Sequence, residues 1–191
     1  PSRDRELKDA KSLVWVRSSV AVAGGMGAGA AGSGAGSVVE SVEFAVGCRG
    51  LFAMDAHSKT DPIVALYELD PRSGRFEYLC QTEMLVDNHE PVFETRLKLD
   101  YAPADAREQA ERELEVKLFD GDAYHKLSAE ELNRGPPEED LLGGARFRVG
   151  EALQGELQLE VTNERDRNKD RLLRDKRCTV WLRREQDSGR L

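Results

Sequence analysis

The sequence is short of the residues that build soft metal and redox centres: it holds 3 Cys and 3 His among 191 residues. Cys48, Cys80 and Cys178 are odd in number and widely spaced, which excludes a disulfide framework and a zinc-binding spacing. They read as reduced, mostly buried thiols of an intracellular protein. His57, His89 and His125 are too few and too scattered for a metal triad. Positive charge is also in deficit, 28 Lys and Arg against 36 Asp and Glu, for a net charge of −8. That balance argues against nucleic acid as a partner. No G-x-S-x-G, no Cys–His pairing and no paired catalytic Glu stands out, so the chain does not read as an enzyme.

A true hydrophobic run is missing as well. Residues 18–39 carry no charge, a length that could span a bilayer, but 17 of these 22 residues are Gly, Ala or Ser. So little apolar area gives no stable insertion, and glycine at this density dissolves helices. Gly27, Gly29 and Gly32 have the G-x-G-x-x-G spacing, yet Ser33-Gly34-Ala35-Gly36 follows where a dinucleotide site needs a helix. Residues 1–40 therefore read as a Gly/Ala-rich tail or linker, 41–186 as a domain and 187–191 as a second tail.

Within 41–186 the hydrophobic period is two. Val42, Phe44, Val46 and Cys48 alternate with Glu43, Ala45 and Gly47, as a half-buried strand requires. Further strands are expected over 62–69, 75–84, 93–100, 113–119, 145–149, 156–161 and 178–184. Eight strands at this spacing point to an all-β protein, an antiparallel β-sandwich with short helical turns in its loops. Residues 104–113 read as one short helix, and Ser128 with Glu131 fits a capping box for a further turn. Residues 165–177 mix charges with basic residues in excess and read as a solvated loop.

Five aspartates stand in two of the connections: Asp55 and Asp61 between the first two strands, then Asp120, Asp122 and Asp140 after the fifth. In a sandwich, loops leaving the same end lie side by side, so these carboxylates are expected in one cleft. Like charges that close repel unless a cation sits among them, and hard oxygen ligands without His or Cys favour Ca²⁺.

Leu51-x-x-x-Asp55-x5-Asp61-Pro62 and Phe119-Asp120-x-Asp122…Asp140-x-x-Gly143 resemble the calcium-binding loops one and three of a C2 domain. Gln81-Thr-Glu83, His89-Glu-Pro-Val-Phe93, Leu99-Asp-Tyr101, Glu138-Glu-Asp-Leu-Leu142 and Gly150-Glu-Ala-Leu153 are similar to the first C2 domain of copines. The resemblance implies a C2 fold, and eight strands from Val42 onward favour the circularly permuted type II variant. It implies Asp55, Asp61, Asp120, Asp122 and Asp140 as calcium ligands. It also implies calcium-dependent binding of anionic phospholipid by a cytoplasmic protein recruited peripherally to membranes, with His57, Lys59, Tyr124, His125 and Lys126 at the lipid-facing tips. The pattern departs from the family at Glu90, where Asn is common, and in the 17 residues that separate Asp122 from Asp140. The strand over 76–83 is acidic where many relatives carry lysines, which argues against phosphoinositide binding there. The alternative is a protein-interaction or structural C2 domain within a larger assembly, held to a protein partner through the N-terminal tail.

Overall fold

Alternating apolar side chains become eight strands, because each strand can bury one face only by pairing edge to edge and stacking against a second sheet. The computed structural model describes residues 39–53, 59–121 and 124–185. The strands are β1 (Glu40–Arg49), β2 (Pro62–Asp70), β3 (Arg75–Gln81), β4 (Leu97–Tyr101), β5 (Glu113–Asp120), β6 (Leu141–Arg148), β7 (Glu156–Glu160) and β8 (Thr179–Arg184). They form two four-stranded sheets, β4-β1-β8-β7 and β3-β2-β5-β6. Every neighbouring pair is antiparallel. The first and last strands lie side by side, Phe44 opposite Arg184, so strands from Glu40 onward complete both sheets. This is the eight-stranded antiparallel sandwich, in the permuted order, that the sequence leads one to expect.

The core lies between the sheets. Phe44 and Val46 of β1, Leu97 of β4 and Leu182 of β8 face Val64 and Leu66 of β2 and Leu114, Val116 and Leu118 of β5, all buried. Cys48 and Cys178 belong to this core, and all three cysteines are free thiols. Burial pushes the Cys178 thiol up to about 12 and the Cys48 thiol well above its ordinary value, so neither is ionised near neutrality.

β2 is buried on both faces. Ile63, Ala65 and Tyr67 turn outward, join Phe119, and are covered by Met84, Tyr124 and Leu141. Part of that cover comes from the long β5–β6 connection, whose Gly135 packs on the rings of Tyr67 and Tyr78. The connection contains the 3₁₀ turn Tyr124–Lys126 and helix α2 (Ala129–Leu132). The Ser128 capping box expected from the sequence forms: Ser128 N–H donates to Glu131 Oε2 at 2.8 Å, and Glu131 N–H to Ser128 Oγ at 3.3 Å.

Several elements differ from the sequence expectation: β3 ends at Gln81 and not at residue 84, and β6 runs over Leu141–Arg148 and not 145–149. The helix expected over 104–113 is a 3₁₀ turn, Pro103–Asp105, followed by α1 (Ala106–Ala110), because Glu113 already enters β5. The fourth strand starts at Leu97 and not at residue 93. Phe93 is buried there all the same, its N–H donating to the Val46 carbonyl at 3.1 Å. After α3 (Val149–Leu153), residues 165–177 are not a solvated loop. They contain α4 (Arg167–Asp175), capped by Asp166, whose carboxylate accepts from the N–H groups of Asn168 and Lys169. Leu173 is wholly buried and fixes this helix to the core, which a count of surface charge could not reveal.

The β3–β4 connection is held by Glu83. Its two carboxylate oxygens accept from Glu94 N–H at 2.6 Å and Thr95 N–H at 3.0 Å. Burial pushes this carboxyl up, but the hydrogen bonds from Thr95 and Glu94 outweigh burial and hold it below the ordinary glutamate range. The stabilisation is therefore complete above that range and is lost as pH falls through the lowered folded value. Glu83→Gln is expected to cost on the order of 1 kcal/mol at neutral pH and to flatten the stability profile in acid. Urea midpoints taken from neutral to acid pH check both effects.

Candidate functional site

In an all-antiparallel sandwich, alternate connections emerge at the same end. Here β1–β2, β3–β4, β5–β6 and β7–β8 share one end: Pro62 pairs with Asp120, Phe119 with Leu141, and Arg49 with Thr179. Asp61, Asp120 and Asp140 therefore stand at the ends of the three adjacent strands β2, β5 and β6. Side chains far apart in sequence meet at one rim because the register, not the local sequence, sets which strand ends are level.

The rim is tied together by its own carboxylates. Asp61 N–H donates to Asp120 Oδ1 at 2.9 Å, and Gly121 N–H donates back to the Asp61 carbonyl at 2.8 Å. Asp120 is 8% exposed, so its carboxylate is held at the mouth and not in free solvent. Asp61 Oδ1 in turn accepts from Asp87 N–H at 2.7 Å, while Asp87 Oδ1 accepts from Lys59 N–H at 3.2 Å. Asp87 takes the left-handed conformation, φ 53°, to make this exchange. Beneath it, the buried Thr60 hydroxyl donates to the Phe52 carbonyl, and Asn88 N–H donates to the Thr60 carbonyl at 3.0 Å. The β1–β2 and β3–β4 connections are thus fastened to each other at Asp61.

Asp140 closes the 3₁₀ turn Glu138–Asp140. Two residues earlier, Glu138 bridges Lys117 at 2.7 Å and Arg165 at 2.6 Å. Burial pushes the Glu138 carboxyl up, but Lys117 and Arg165 outweigh it and lower the net value. Lys169 Nζ donates to the Leu141 carbonyl at 2.5 Å, which locks α4 to the same strand end.

Of the ten site residues expected from the sequence, Asp55, Asp122 and His57 lie outside the described residues, as does the His125 side chain. Asp61, Asp120 and Asp140 are brought to one rim. Lys59 and Lys126 are exposed at the same end. Tyr124 is placed differently from an open loop tip. Its ring packs on the outer face of β2, and its hydroxyl oxygen accepts from Gln81 Nε2 at 2.5 Å, with burial raising its phenol pKa. Val86, 66% exposed beside Asp87, and Asp87 itself were not anticipated. The one local signal for them was the turn pair Asp87-Asn88.

The donors at the rim are carboxylate and carbonyl oxygens, a set suited to a hard cation such as calcium and unsuited to zinc or copper. Among the described residues, no three His, Cys, Asp or Glu side chains stand close enough to hold a metal ion. The Asp61 carboxylate is engaged by Asp87, and two of the five expected ligands lie outside the described residues. In donor chemistry the residues present fit calcium. Also among the described residues, no helix is long and apolar enough to cross a membrane.

No family model matches the chain. Among solved structures, it is similar to a C2 domain of a plant extended synaptotagmin 1, at 16% identity and a TM-score of 0.45 over 78% of this chain and 96% of that one. It is similar to a domain described as BON1-C2B, at 12% identity and a TM-score of 0.46 over 79% and 94%. Human GIVD cytosolic phospholipase A2 matches at 20% identity and a TM-score of 0.43, over 80% of this chain but only 19% of the phospholipase. At these TM-scores the fold assignment rests on strand order and register, not on the likenesses.

Proposed function

We propose that the chain is a C2-type, copine-like module that binds anionic phospholipid membranes in a calcium-dependent manner, as a cytoplasmic protein recruited peripherally. The observation that carries this reading is the register that levels Asp61, Asp120 and Asp140 at the ends of three neighbouring strands. Asp55 and Asp122, in the same two connections, complete the proposed ligand set.

The chain's own residues do the following. Asp120 anchors the rim by accepting the Asp61 N–H, so the β1–β2 and β5–β6 connections keep a fixed separation. Asp87 orients the Asp61 carboxylate. The acidic rim repels an anionic leaflet, whose surface potential is negative. Calcium, when bound, supplies the opposite charge and open coordination positions for a lipid phosphate or carboxylate. Lys59 and Lys126, with His57 and His125, are the proposed head-group contacts, and the exposed Val86 offers an apolar tip in the β3–β4 connection. Tyr124 contributes through its packing under the rim.

Sedimentation with phosphatidylserine-containing vesicles tests this reading. Binding is expected with calcium and not with a chelator; equal pelleting in both would remove calcium dependence.

A further inference from the structure

The four connections at the rim end are not alike in charge. Asp61, Asp87, Asp120 and Asp140 make three of them acidic, whereas α4, in the fourth, is basic. Both ends of α4 are fixed at this rim. At its start, Arg165 reaches Glu138 and Lys169 donates to the Leu141 carbonyl. Beyond its last turn, the chain passes against Gly50, where β1 ends: a Cβ built on Gly50 would lie 2.5 Å from the Lys176 carbonyl oxygen. Leu173 and the Lys169–Asp170 side turn inward, so Arg167, Arg171 and Arg174 share the exposed face at helical spacing.

Asp166 and Asp170, two of the three acids at this helix, are used locally, and the third, Asp175, is exposed at its end. Asp166 caps its N-terminus, and Asp170 accepts from Asn163 N–H and pairs with Arg174. Arg167, Arg171, Lys176 and Arg177 are exposed and take part in no ion pair among the described residues. On a chain of net charge −8, a cluster of uncompensated cations kept at one end indicates an anionic surface facing that end.

We propose that Arg167, Arg171 and Lys176 form a second, calcium-independent contact with anionic lipid, beside the acidic rim. The proposal deepens the membrane reading above and rests on it for the direction in which the rim faces. Guanidinium groups suit the bidentate recognition of lipid phosphate, and Arg167 and Arg171 on one helix face, with Lys176 just past the helix end, lie beside the rim instead of on it. The two contacts would act together: the helix holds the domain near the leaflet, and the rim engages when calcium neutralises it. Two tethered weak contacts bind more tightly than either alone.

The experiment is vesicle sedimentation of the full chain and of Arg167→Gln/Arg171→Gln/Lys176→Gln. Phosphatidylcholine vesicles with and without phosphatidylserine are used, in calcium or chelator, at low and high salt. Each cation near an anionic leaflet contributes about 1 kcal/mol, or roughly fivefold in binding. The triple variant is expected to bind on the order of 100-fold more weakly in both calcium and chelator at low salt. The calcium-to-chelator ratio should be kept, and Arg167→Lys/Arg171→Lys, which keeps the charge and loses the bidentate fork, should bind between the parent and the triple variant. A triple variant that binds like the parent overturns the α4 contact and leaves the calcium reading intact. A parent that ignores calcium, but loses low-salt vesicle binding in the triple variant, upholds the α4 contact and removes the calcium reading. Retention on immobilised polyglutamate that falls in the variant while vesicle binding is unchanged assigns the helix to an acidic protein and overturns the lipid proposal.

Discussion

Asp120→Asn is expected to shift the calcium response of vesicle binding to at least about tenfold higher calcium while leaving the fold in place. The substitution is nearly isosteric, and its side-chain oxygen can still accept the Asp61 N–H, now made at 2.9 Å. What it removes is one negative charge from a position only 8% exposed, at the end of the central pair β2–β5. A calcium site is tuned by the number of charged ligands as much as by geometry, so one lost carboxylate at the centre should weaken calcium binding by at least about tenfold. Thermal unfolding without calcium is expected to move little, since the hydrogen bond that levels the rim survives. Calorimetric titration of calcium into parent and variant is the direct measurement, and an unchanged isotherm would exclude Asp120 from the ligand set. Asp87→Ala makes a useful companion, because the Asp61 Oδ1 bond comes from the Asp87 backbone and persists. Its calcium isotherm should change less than that of Asp120→Asn.

Gly47→Ala is expected to remove a large share of the domain's net stability while leaving most of the population folded. Gly47 faces Trp181 across the β1–β8 ladder. A Cβ built there would lie 2.5 and 2.6 Å from two atoms of the Trp181 ring and 2.7 Å from the Pro91 carbonyl oxygen. The ring could turn aside, but the carbonyl cannot: it accepts from Cys48 N–H at 2.9 Å and anchors the segment leading to the buried Phe93. Overpacking of this kind costs about 1–3 kcal/mol, and contact with fixed backbone places this case at the upper end. That is a large share of a small domain's net stability. Urea denaturation measures it. Adding Trp181→Leu should restore only part of the loss, because the Pro91 carbonyl remains; full restoration would show that the ring alone excludes a side chain at position 47.

The two substitutions separate what each level of organisation supplies. At Gly47 the strand was legible, since Val42, Phe44, Val46 and Cys48 lie on one side and turn out to be buried. The need for glycine on the other side was not, because it comes from a ring and a carbonyl more than forty residues downstream. α4 shows a different limit. Its apolar residues, Leu172 and Leu173, are adjacent and define no period, and charges fill most of the remaining positions, so hydrophobic pattern alone reads it as solvated. The Asp166 cap was the available local signal. Likewise, the connection between Asp122 and Asp140 is long in sequence but packed in space: Tyr124 and Gly135 settle on a β2 face that a simple sandwich would leave to solvent.

The sequence by itself determined that the domain is built of eight strands, the inward face of β1, the Ser128 cap and the placing of the aspartates in two connections, because period and capping are local properties of the chain. Only the tertiary structure decided which ends are level, that Asp120 holds the Asp61 backbone across 59 residues, that Asp87 clamps Asp61, and that a basic helix borders the acidic rim. Pairing register and sheet stacking arise from contacts between distant segments, and a local pattern is compatible with many registers until the core selects one.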